Sequence, residues 1–236
     1  MKYISLPDMK DRRLTFYLAM EEYVARCLDE PDTFFLWQVK PTVIYGRNQV
    51  AENEVNFNYC REYGIEVVRR KSGGGCVYAD RDNLMLSFIS AGDNVGFAFN
   101  RFVGMVLLVL RKMSIEATGT VHNDILIGGR KVCGTACYHV AGRSIVHSTM
   151  LYDTNMEHIT HAITPSREKL QKKGVESVRQ RITLLKDHTA LTLDEVKTLI
   201  RDTLCDGERV LSSAEVAAIE SLEQSYQEGE SIKLYE

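Results

Sequence analysis

The chain has 236 residues, 44% of them hydrophobic and 26% charged, a composition typical of a globular protein with a substantial buried core. Its net charge of −3 excludes a global basic surface for nucleic acid, and the charges scattered through residues 1–16 predict no secretory signal. The longest apolar run, residues 103–110, is too short to span a bilayer. We therefore expect a cytoplasmic protein with neither a membrane nor a nucleic-acid partner.

The cysteines favour a reduced chain without a structural metal. Six are present and none forms a CxxC pair, so neither a disulfide framework nor a zinc site is predicted. Cys133 and Cys137 form a CxxxC pair, which is only a weak indication of metal binding without a second pair. We expect most of the six to be structural.

The predicted secondary structure mixes helices with short strands. Helical periodicity or a capping box predicts helices in five segments: 13–29, 54–63, 99–113, 192–205 and 212–226. β-Branched runs predict strands in seven segments: 33–39, 42–45, 65–70, 84–90, 125–127, 131–138 and 144–152. Glu21 interrupts the apolar stripe of the first helix, and a carboxylate there usually takes a backbone or arginine partner, so it is assigned no role. Without repeats or a proline-rich linker, residues 1–236 are predicted to form one domain in which the helices of 192–226 are scaffold.

The most informative stretch is residues 67–80, VVRRKSGGGCVYAD, in which a strand runs through two arginines into three consecutive glycines. Glycines permit positive φ and leave no Cβ to block a ligand, so main-chain N–H groups there can approach an anion closely. A hairpin turn flanked by surface arginines explains the same pattern, and short glycine motifs match often by chance. A further glycine followed by polar residues, GRNQ at 46–49, is typical of either a ligand-contacting edge or a plain loop.

A second informative stretch is residues 123–138, NDILIGGRKVCGTACY, in which two predicted strands meet at a Gly128-Gly129 hairpin turn. Lys131 follows that turn, where a lysine is most often solvated, but Gly134 inside the second strand indicates the close approach of another group. Residues 164–181 carry six basic residues against two acidic ones, a local excess of +4. A solvated helix face explains such a segment, but a basic loop can also close over a phosphate.

These features together predict a site for a molecule with an apolar body and an anionic end that is activated through a phosphate. Glycine turns and basic residues lie beside segments apolar enough to line a hydrophobic tunnel. Activation of a carboxylate by a nucleotide brings two anions together, which requires fixed cations and backbone donors near the reacting carbon.

Several of these motifs resemble the lipoate-protein ligase A family, in the same order and at similar spacing. RRKSGGGCVYAD is similar to the family's RRxSGGGxVxHD signature, NDILIGGRKVCGTACY to its ND…GxKxxGxA segment, and VHSTMLYD to its HGTLL strand. GRNQ at 46–49 and KGVESVRQRITLL at 173–185 extend the resemblance, which runs from residue 12 to about residue 200.

The resemblance implies an α+β fold, the mixed β-sheet flanked by helices of the biotin/lipoate-protein ligase catalytic domain, which is similar to class II synthetases. It implies a reaction in which lipoate and ATP, with Mg²⁺, give lipoyl-AMP, and the lipoyl group then passes to a lysine of an apo lipoyl domain. The implied acceptors are E2 subunits of 2-oxoacid dehydrogenases and the glycine cleavage H protein.

Matched residue by residue, the family's functional positions fall on four parts of this chain. Lys131 would be catalytic, because its fixed charge stabilises negative charge in both steps. Lipoate or lipoyl-AMP would be bound by Arg70, Ser72, Gly73, Gly74, Gly75, Cys76, Val77, Tyr78, Gly134, Thr135, Ala136, His147 and Thr149. The nucleotide would be held by Asn123, Asp124, Lys131, Lys173, Gly174, Ser177, Val178 and Arg179, with Asp124 also a direct or indirect Mg²⁺ contact.

The chain departs from the family pattern in two places. Ala79 stands where the family usually has histidine before the aspartate, so we expect that imidazole contact to be lost and the lip of the acyl site to be wider. Only ten residues follow the last predicted helix, so the accessory carboxy-terminal domain that family members often carry is expected to be absent.

Three readings of the activity remain open. The first is an ATP-dependent ligase, acting alone or with a separate accessory protein. The second is a transferase that uses preformed lipoyl-AMP. The third is an octanoyl or lipoyl acyltransferase that works through a cysteine thioester without ATP.

Cys133 and Cys76 are the candidate nucleophiles for the thioester reading. Cys133 is two residues from Lys131, and residues i and i+2 of a strand share a face, so both could point into one site. The simpler interpretation is that each is a small buried residue. The basic segment 173–181 favours ATP-dependent chemistry, because a thioester relay has no use for it. We therefore rank the ligase first and the cysteine-dependent transferase second. A binding-only protein with the same fold but no turnover ranks third, because the presence of Lys131 argues against it.

Overall fold

The computed structural model describes residues 1–120, 124–164 and 181–228 of the chain. These ranges contain the strands β1 (Lys2–Ser5), β2 (Asp32–Trp37), β3 (Thr42–Tyr45), β4 (Glu66–Arg69), β5 (Val77–Ala79), β6 (Leu84–Ala91), β7 (Thr118–Gly119), β8 (Asp124–Ile127), β9 (Arg130–Val140), β10 (Arg143–Met150) and β11 (Gly207–Val210). They also contain the helices α1 (Leu14–Cys27), α2 (Phe57–Glu62), α3 (Val95–Lys112), α4 (Met156–Ala162), α5 (Leu193–Leu204) and α6 (Ser213–Glu228), and short 3₁₀ helices at Ala51–Asn53 and Leu185–His188. None of the helices in these ranges combines the length and the hydropathy that a bilayer crossing requires.

A mixed eight-stranded sheet organises the fold, with the strand order β11-β1-β2-β6-β10-β9-β8-β7. The strands from β2 through β7 in this order pair antiparallel, whereas β1 runs parallel to both β2 and β11. The predicted Gly128-Gly129 turn joins β8 to β9. The antiparallel centre therefore brings β9 and β10, which carry Lys131 and His147, side by side.

Helices cover both faces of this sheet. Residues of β2 alternate between the two faces, as the period of a strand requires, so Phe35 packs under α1 and α6 while Phe34 packs under α3 and α5. Each phenylalanine is at most 1% exposed and contributes about 1.5–3 kcal/mol through burial. The predicted α+β fold, a mixed sheet flanked by helices, is confirmed.

A second, three-stranded sheet carries the glycine loop, with the order β4-β3-β5. β3 is parallel to β4 and antiparallel to β5, and α2 forms the crossover between the two parallel strands. Residues 70–76 leave the end of β4 and return into β5. Both ends of the loop are therefore held by the two outer strands of one small sheet, on either side of β3.

The predicted elements are largely present, and their ends shift where side chains cap helices. α2 starts after Asn56, whose side chain accepts the Tyr59 N–H, so it is shorter than the predicted 54–63. α3 starts four residues before position 99, because Asn94 accepts the Phe97 N–H in the same way. The sequence does not predict β1, β5, β7, β11 or α4, which have two to seven residues each and are too short to show a clear period.

Candidate functional site

Two cavities lie between the glycine loop and strands β9 and β10. The larger has a volume of about 340 Å³, and its inner end is apolar, formed by Leu14, Leu18, Trp37, Ile44 and Met85. The smaller has a volume of about 160 Å³ and is lined largely by apolar side chains, among them Tyr78, Leu151, Ile159, Ile163 and Ile182.

The two cavities share a wall that carries positive charge. Both are lined by Gly75, Cys76, Val77, Lys131, Gly134, Thr149 and Arg181. Lys131 and Arg181 are the basic members of this shared set, so the cations lie where the apolar chambers meet. A molecule that occupied both chambers would present its middle to these two side chains.

Arg70 braces the glycine loop from inside. Its guanidinium donates to the carbonyl oxygens of Ile44 at 3.1 Å, Gly73 at 2.8 Å and Gly75 at 2.7 Å, and Nε donates to Ser72 Oγ at 3.0 Å. The residue is 6% exposed, and burial lowers the pKa of Arg70 to about 10. The guanidinium therefore stays charged at neutral pH and is used largely to fix the course of the loop.

The segment 46–49 supports the loop from the other side. The Arg47 N–H donates to the Ser72 carbonyl at 2.9 Å, and the Gln49 side chain accepts the Gly46 N–H at 2.9 Å. Gly74 has a φ of 93°, which a residue with a side chain rarely adopts. The loop thus depends on Gly74 for its shape, and on Arg70 and the segment 46–49 for its position.

Lys131 lies in a partly buried ion-pair network with Asp124 and Arg181. Asp124 Oδ1 is 2.8 Å from Lys131 Nζ, and Asp124 Oδ2 is 2.8 Å from Arg181 Nη2. Burial alone would raise the pKa of Asp124, but the two cations outweigh it and hold that pKa below its usual value. Burial lowers the pKa of Lys131, while the Asp124 carboxylate opposes that shift. The centre therefore has one excess positive charge with which to meet an anion.

Gly134 makes room for the lysine side chain. A Cβ placed on Gly134 would overlap Lys131 Nζ and lie 2.5 Å from Cε. The close approach expected from the sequence is therefore made by Lys131 itself.

A β-bulge separates Cys133 from Lys131, contrary to the expectation from simple alternation. Leu126 pairs with Lys131 and Ile125 pairs with Cys133, which leaves Val132 as an extra residue on β9. Lys131 therefore faces the cavities, whereas Cys133 is fully buried in the core beneath α3. Burial raises the pKa of the Cys133 thiol to about 11, which disfavours a thiolate.

Glu21 has a different partner from the one expected. It is fully buried, accepts from Ser87 Oγ at 2.5 Å, and lies 2.9 Å from His147 Nδ1. The sequence signal for this contact was a carboxylate within the apolar stripe of a helix. It could not identify the partners, because Ser87 and His147 lie far along the chain and are brought together by the pairing of β6 with β10.

The larger cavity brings together most of the residues predicted to contact lipoate. It is lined by Arg70, Gly74, Gly75, Cys76, Val77, Gly134, Thr135, Ala136, His147 and Thr149. Tyr78 instead lines the smaller cavity. Ser72 is fully buried behind the loop, and Gly73 faces a separate surface groove. Their roles remain predictions.

Some predicted positions lie elsewhere or outside the described residues. Asp124 and Lys131 of the predicted nucleotide set lie at the cavities, but the others are outside the described ranges: Asn123, Lys173, Gly174, Ser177, Val178 and Arg179. Ala79 is fully buried in the core and is not part of either cavity lining, so its small side chain does not widen an exposed lip.

Comparison with known proteins gives a consistent result. The model of the lipoyl protein ligase A/B catalytic domain matches residues 14–205. The lipoate-protein ligase LplJ of Bacillus subtilis is 38% identical over 184 residues, which are 77% of this chain and 55% of that protein. The chain thus spans little more than half the length of this curated relative.

Two solved structures share the fold over nearly the whole chain. One is a bipartite lipoate protein ligase with its E2 lipoyl domain from Thermoplasma acidophilum, with a TM-score of 0.83 and 25% identity over 97% of this chain and 94% of that one. The other is a lipoate-protein ligase A bound with ATP, with a TM-score of 0.83 and 24% identity over 98% of each chain. By the family match and the identity to its curated relative, the chain belongs to the lipoyl protein ligase A/B catalytic domain family.

Proposed function

We propose that this chain catalyses ATP-dependent ligation of lipoate to protein. In the first step a carboxylate oxygen of lipoate attacks the α-phosphorus of ATP, which forms lipoyl-AMP and releases pyrophosphate. In the second step the amine of an acceptor lysine attacks the acyl carbon, which forms an amide and releases AMP. The observation that carries the proposal is the junction of two apolar cavities at Lys131 and Arg181.

The larger cavity suits the acyl part of the substrate. Its inner end is formed by aliphatic side chains and Trp37, which would bury an aliphatic chain and a dithiolane ring. Its outer end holds Lys131 and Arg181, which would pair with the carboxylate. This arrangement would bind an acid with its apolar chain among the aliphatic side chains and its carboxylate at Lys131 and Arg181.

The smaller cavity suits the nucleoside. Leu151, Ile159 and Ile163 supply apolar surface for a flat base, and the same two cations would then lie beside the α-phosphate. The support comes from Asp124, Lys131 and Arg181, and the other residues predicted to bind the nucleotide lie outside the described ranges.

Lys131 would act as a fixed positive charge in both steps. Its ion pair with Asp124 at 2.8 Å holds the ammonium at the junction before a substrate arrives. An ammonium already in position stabilises the charge that develops on the phosphate and on the acyl oxygen without reorganisation.

Mg²⁺ would enter with ATP. Both carboxylate oxygens of Asp124 are paired with cations, and the described residues contain no cluster of three metal-ligating side chains. The described site therefore does not fit an ion held by the protein, and Mg²⁺ commonly relies on substrate phosphates for part of its coordination.

Apo lipoyl domains are the proposed acceptors, such as those of E2 subunits and of the glycine cleavage H protein. The bipartite ligase from Thermoplasma acidophilum with its E2 lipoyl domain supports this class of acceptor and the participation of a second, accessory part. A requirement for ATP is consistent with a cytoplasmic reaction.

Mass spectrometry of an apo lipoyl domain tests the function. The domain is incubated with this protein, lipoate and Mg²⁺, with and without ATP, and in parallel with synthetic lipoyl-AMP. A lipoyl mass gain that requires ATP supports the ligase. A gain with lipoyl-AMP alone would replace it with a transferase, unless adding a separate accessory protein restores the ATP reaction.

Changing Cys133 to serine separates the ligase from the thioester alternative. We expect the variant to stay largely active in the ATP-dependent assay, because the thiol is buried on the far side of the sheet from Lys131. The companion variant Cys76→Ser tests the thiol that lines both cavities. Loss of turnover in either variant, with no accumulation of lipoyl-AMP, would favour the thioester route.

Changing Gly134 to alanine should disable the lysine without unfolding the protein. The added Cβ overlaps the flexible end of Lys131, so the side chain moves while the strand stays. A catalytic group misplaced by about 1 Å can cost about 10²-fold in turnover, and we expect a loss of this order. We would measure kcat together with the melting temperature, with Gly104→Ala in α3 as the control because a Cβ there meets no atom within 4 Å. Wild-type turnover in Gly134→Ala would contradict the placement of Lys131.

A further inference from the structure

A buried chain of hydrogen bonds runs from the glycine loop to helix α1. Arg70 Nε donates to Ser72 Oγ at 3.0 Å, and Ser72 Oγ lies 2.7 Å from His147 Nε2. His147 Nδ1 lies 2.9 Å from Glu21 Oε2. Glu21 and Ser72 are fully buried, and His147 is 7% exposed.

A second branch reaches the same carboxylate from the inner end of the larger cavity. Trp37 Nε1 donates to Ser87 Oγ at 2.8 Å, and Ser87 Oγ donates to Glu21 Oε1 at 2.5 Å. Trp37 lines the cavity, and its ring stacks on Tyr17 with centroids 4.8 Å apart. Glu21 therefore joins the wall of the cavity to the loop above it.

For a neutral His147 ring, the chemistry of the end groups fixes the direction of every proton in this chain. An arginine Nε and an indole nitrogen can only donate, so Ser72 and Ser87 receive a hydrogen bond and direct their own protons onward. The proton of Ser72 then needs Nε2 of His147 as acceptor, which places the ring proton on Nδ1, facing Glu21. Both branches end on one carboxylate, which accepts from both sides and donates nothing.

The geometry does not suit Ser72 as a nucleophile, although serine, histidine and a carboxylate lie in series. Ser72 Oγ is buried, and one of its lone pairs is engaged by Arg70. Nor is Ser72 part of either cavity lining. The chain of hydrogen bonds therefore supports the loop and does not attack a substrate.

We propose that Glu21 is a positioning residue for the acid-binding site: as the common acceptor, it fixes the tautomer of His147 and so seats Ser72 and the glycine loop. The inference rests on the proposed function for the identity of the acid. Gly74, Gly75 and Cys76 of the loop line the larger cavity, so a loop that is less well seated binds the acid less tightly.

Changing Glu21 to glutamine tests the direction of the chain with almost no change in shape. The amide offers one acceptor oxygen where the carboxylate offers two, and it adds two protons. Either the amide nitrogen faces His147 and moves the ring proton to Nε2, or it faces Ser87 and opposes that hydroxyl. In both cases a buried hydroxyl loses its acceptor.

The kinetic readout separates positioning from a general loss of structure. We expect Glu21→Gln to raise the KM for lipoate in ATP–pyrophosphate exchange by about tenfold, which corresponds to about 1.4 kcal/mol, while kcat changes little. The control is Glu30→Gln, because Glu30 lies just beyond the end of α1 and its carboxylate pairs with Arg209 of β11 at the edge of the large sheet. The control should keep the wild-type KM.

The second readout is ¹⁵N NMR of the imidazole nitrogens in histidine-labelled protein, with His147 assigned by a His147→Asn variant. It needs no substrate, so it tests Glu21 even if the proposed function fails. We expect the Nδ1–H form of His147 in the wild type and in Glu30→Gln, and a changed tautomer or hydroxyl network in Glu21→Gln. An unchanged His147 spectrum together with a wild-type KM in Glu21→Gln would overturn the inference. A wild-type protein without ATP-dependent exchange, both alone and with an added accessory protein, would overturn the proposed function instead.

Discussion

Replacing Lys131 with alanine should lower ATP-dependent lipoyl transfer by at least about 10²–10³-fold while the protein remains folded. The ammonium is held at the junction of the two cavities by Asp124, and it is the cation that would meet both the carboxylate and the phosphate. Removing it leaves Arg181 with Asp124, so the excess positive charge at the junction disappears. The loss should appear in kcat for both ATP–pyrophosphate exchange and transfer from synthetic lipoyl-AMP.

The neighbouring Arg130 supplies the matched control for that experiment. Its side chain is exposed beside the β8–β9 turn and carries the same charge one residue away. Arg130→Ala should keep wild-type turnover. If Lys131→Ala retained near-normal turnover in both half-reactions, the proposed role of the lysine would be wrong.

The same lysine predicts how adenylation depends on pH. Burial lowers the pKa of Lys131 below its ordinary value of 10.5, although Asp124 opposes the shift. The protonated form is the active one, so activity is present below the lowered pKa and is lost as pH rises through it. Pyrophosphate exchange should therefore decline before pH 10.5, and Lys131→Ala should lack the part of that decline that Lys131 causes, while keeping any part that Arg70 causes near pH 10.

The local parts of the site could be predicted from sequence because each carries its own short-range signal. Three glycines after a strand indicated the loop between β4 and β5, and a Gly-Gly turn followed by lysine indicated the hairpin that presents Lys131. Gly134 indicated a close contact, which the structure assigns to the lysine side chain. These inferences depend on a few adjacent residues and on turn chemistry, which act within one hairpin.

The parts contributed by distant segments could not be predicted in the same way. Leu14 and Leu18 have the periodicity of any core-facing helix, and Trp37 that of any buried strand residue, so neither pattern distinguishes a cavity wall from a core. The partners of Glu21 come from β6 and β10, more than sixty residues away along the chain. Simple alternation also failed at Cys133, because the bulge at Val132 changes the face of the strand that follows.

Replacing Arg70 with alanine should lower the free energy of unfolding by about 2–4 kcal/mol and also remove lipoate binding. The substitution leaves the carbonyl oxygens of Ile44, Gly73 and Gly75 without a donor, and each buried group that loses its partner costs about 1–3 kcal/mol, partly relieved by water entering the loop. Urea denaturation and lipoate titration would measure the two effects.

Two further variants, Arg70→Lys and Arg69→Ala, separate the hydrogen bonds of Arg70 from its charge. Arg70→Lys keeps a cation but cannot place donors on three carbonyls and a hydroxyl at once, so most of both losses should persist. Arg69→Ala removes a guanidinium one residue away that lies over the Tyr45 ring at 5.1 Å, and this variant should lose at most about 1 kcal/mol and keep lipoate binding. If lysine at position 70 restored binding, charge alone would suffice, and the fork of hydrogen bonds would not be what shapes the loop.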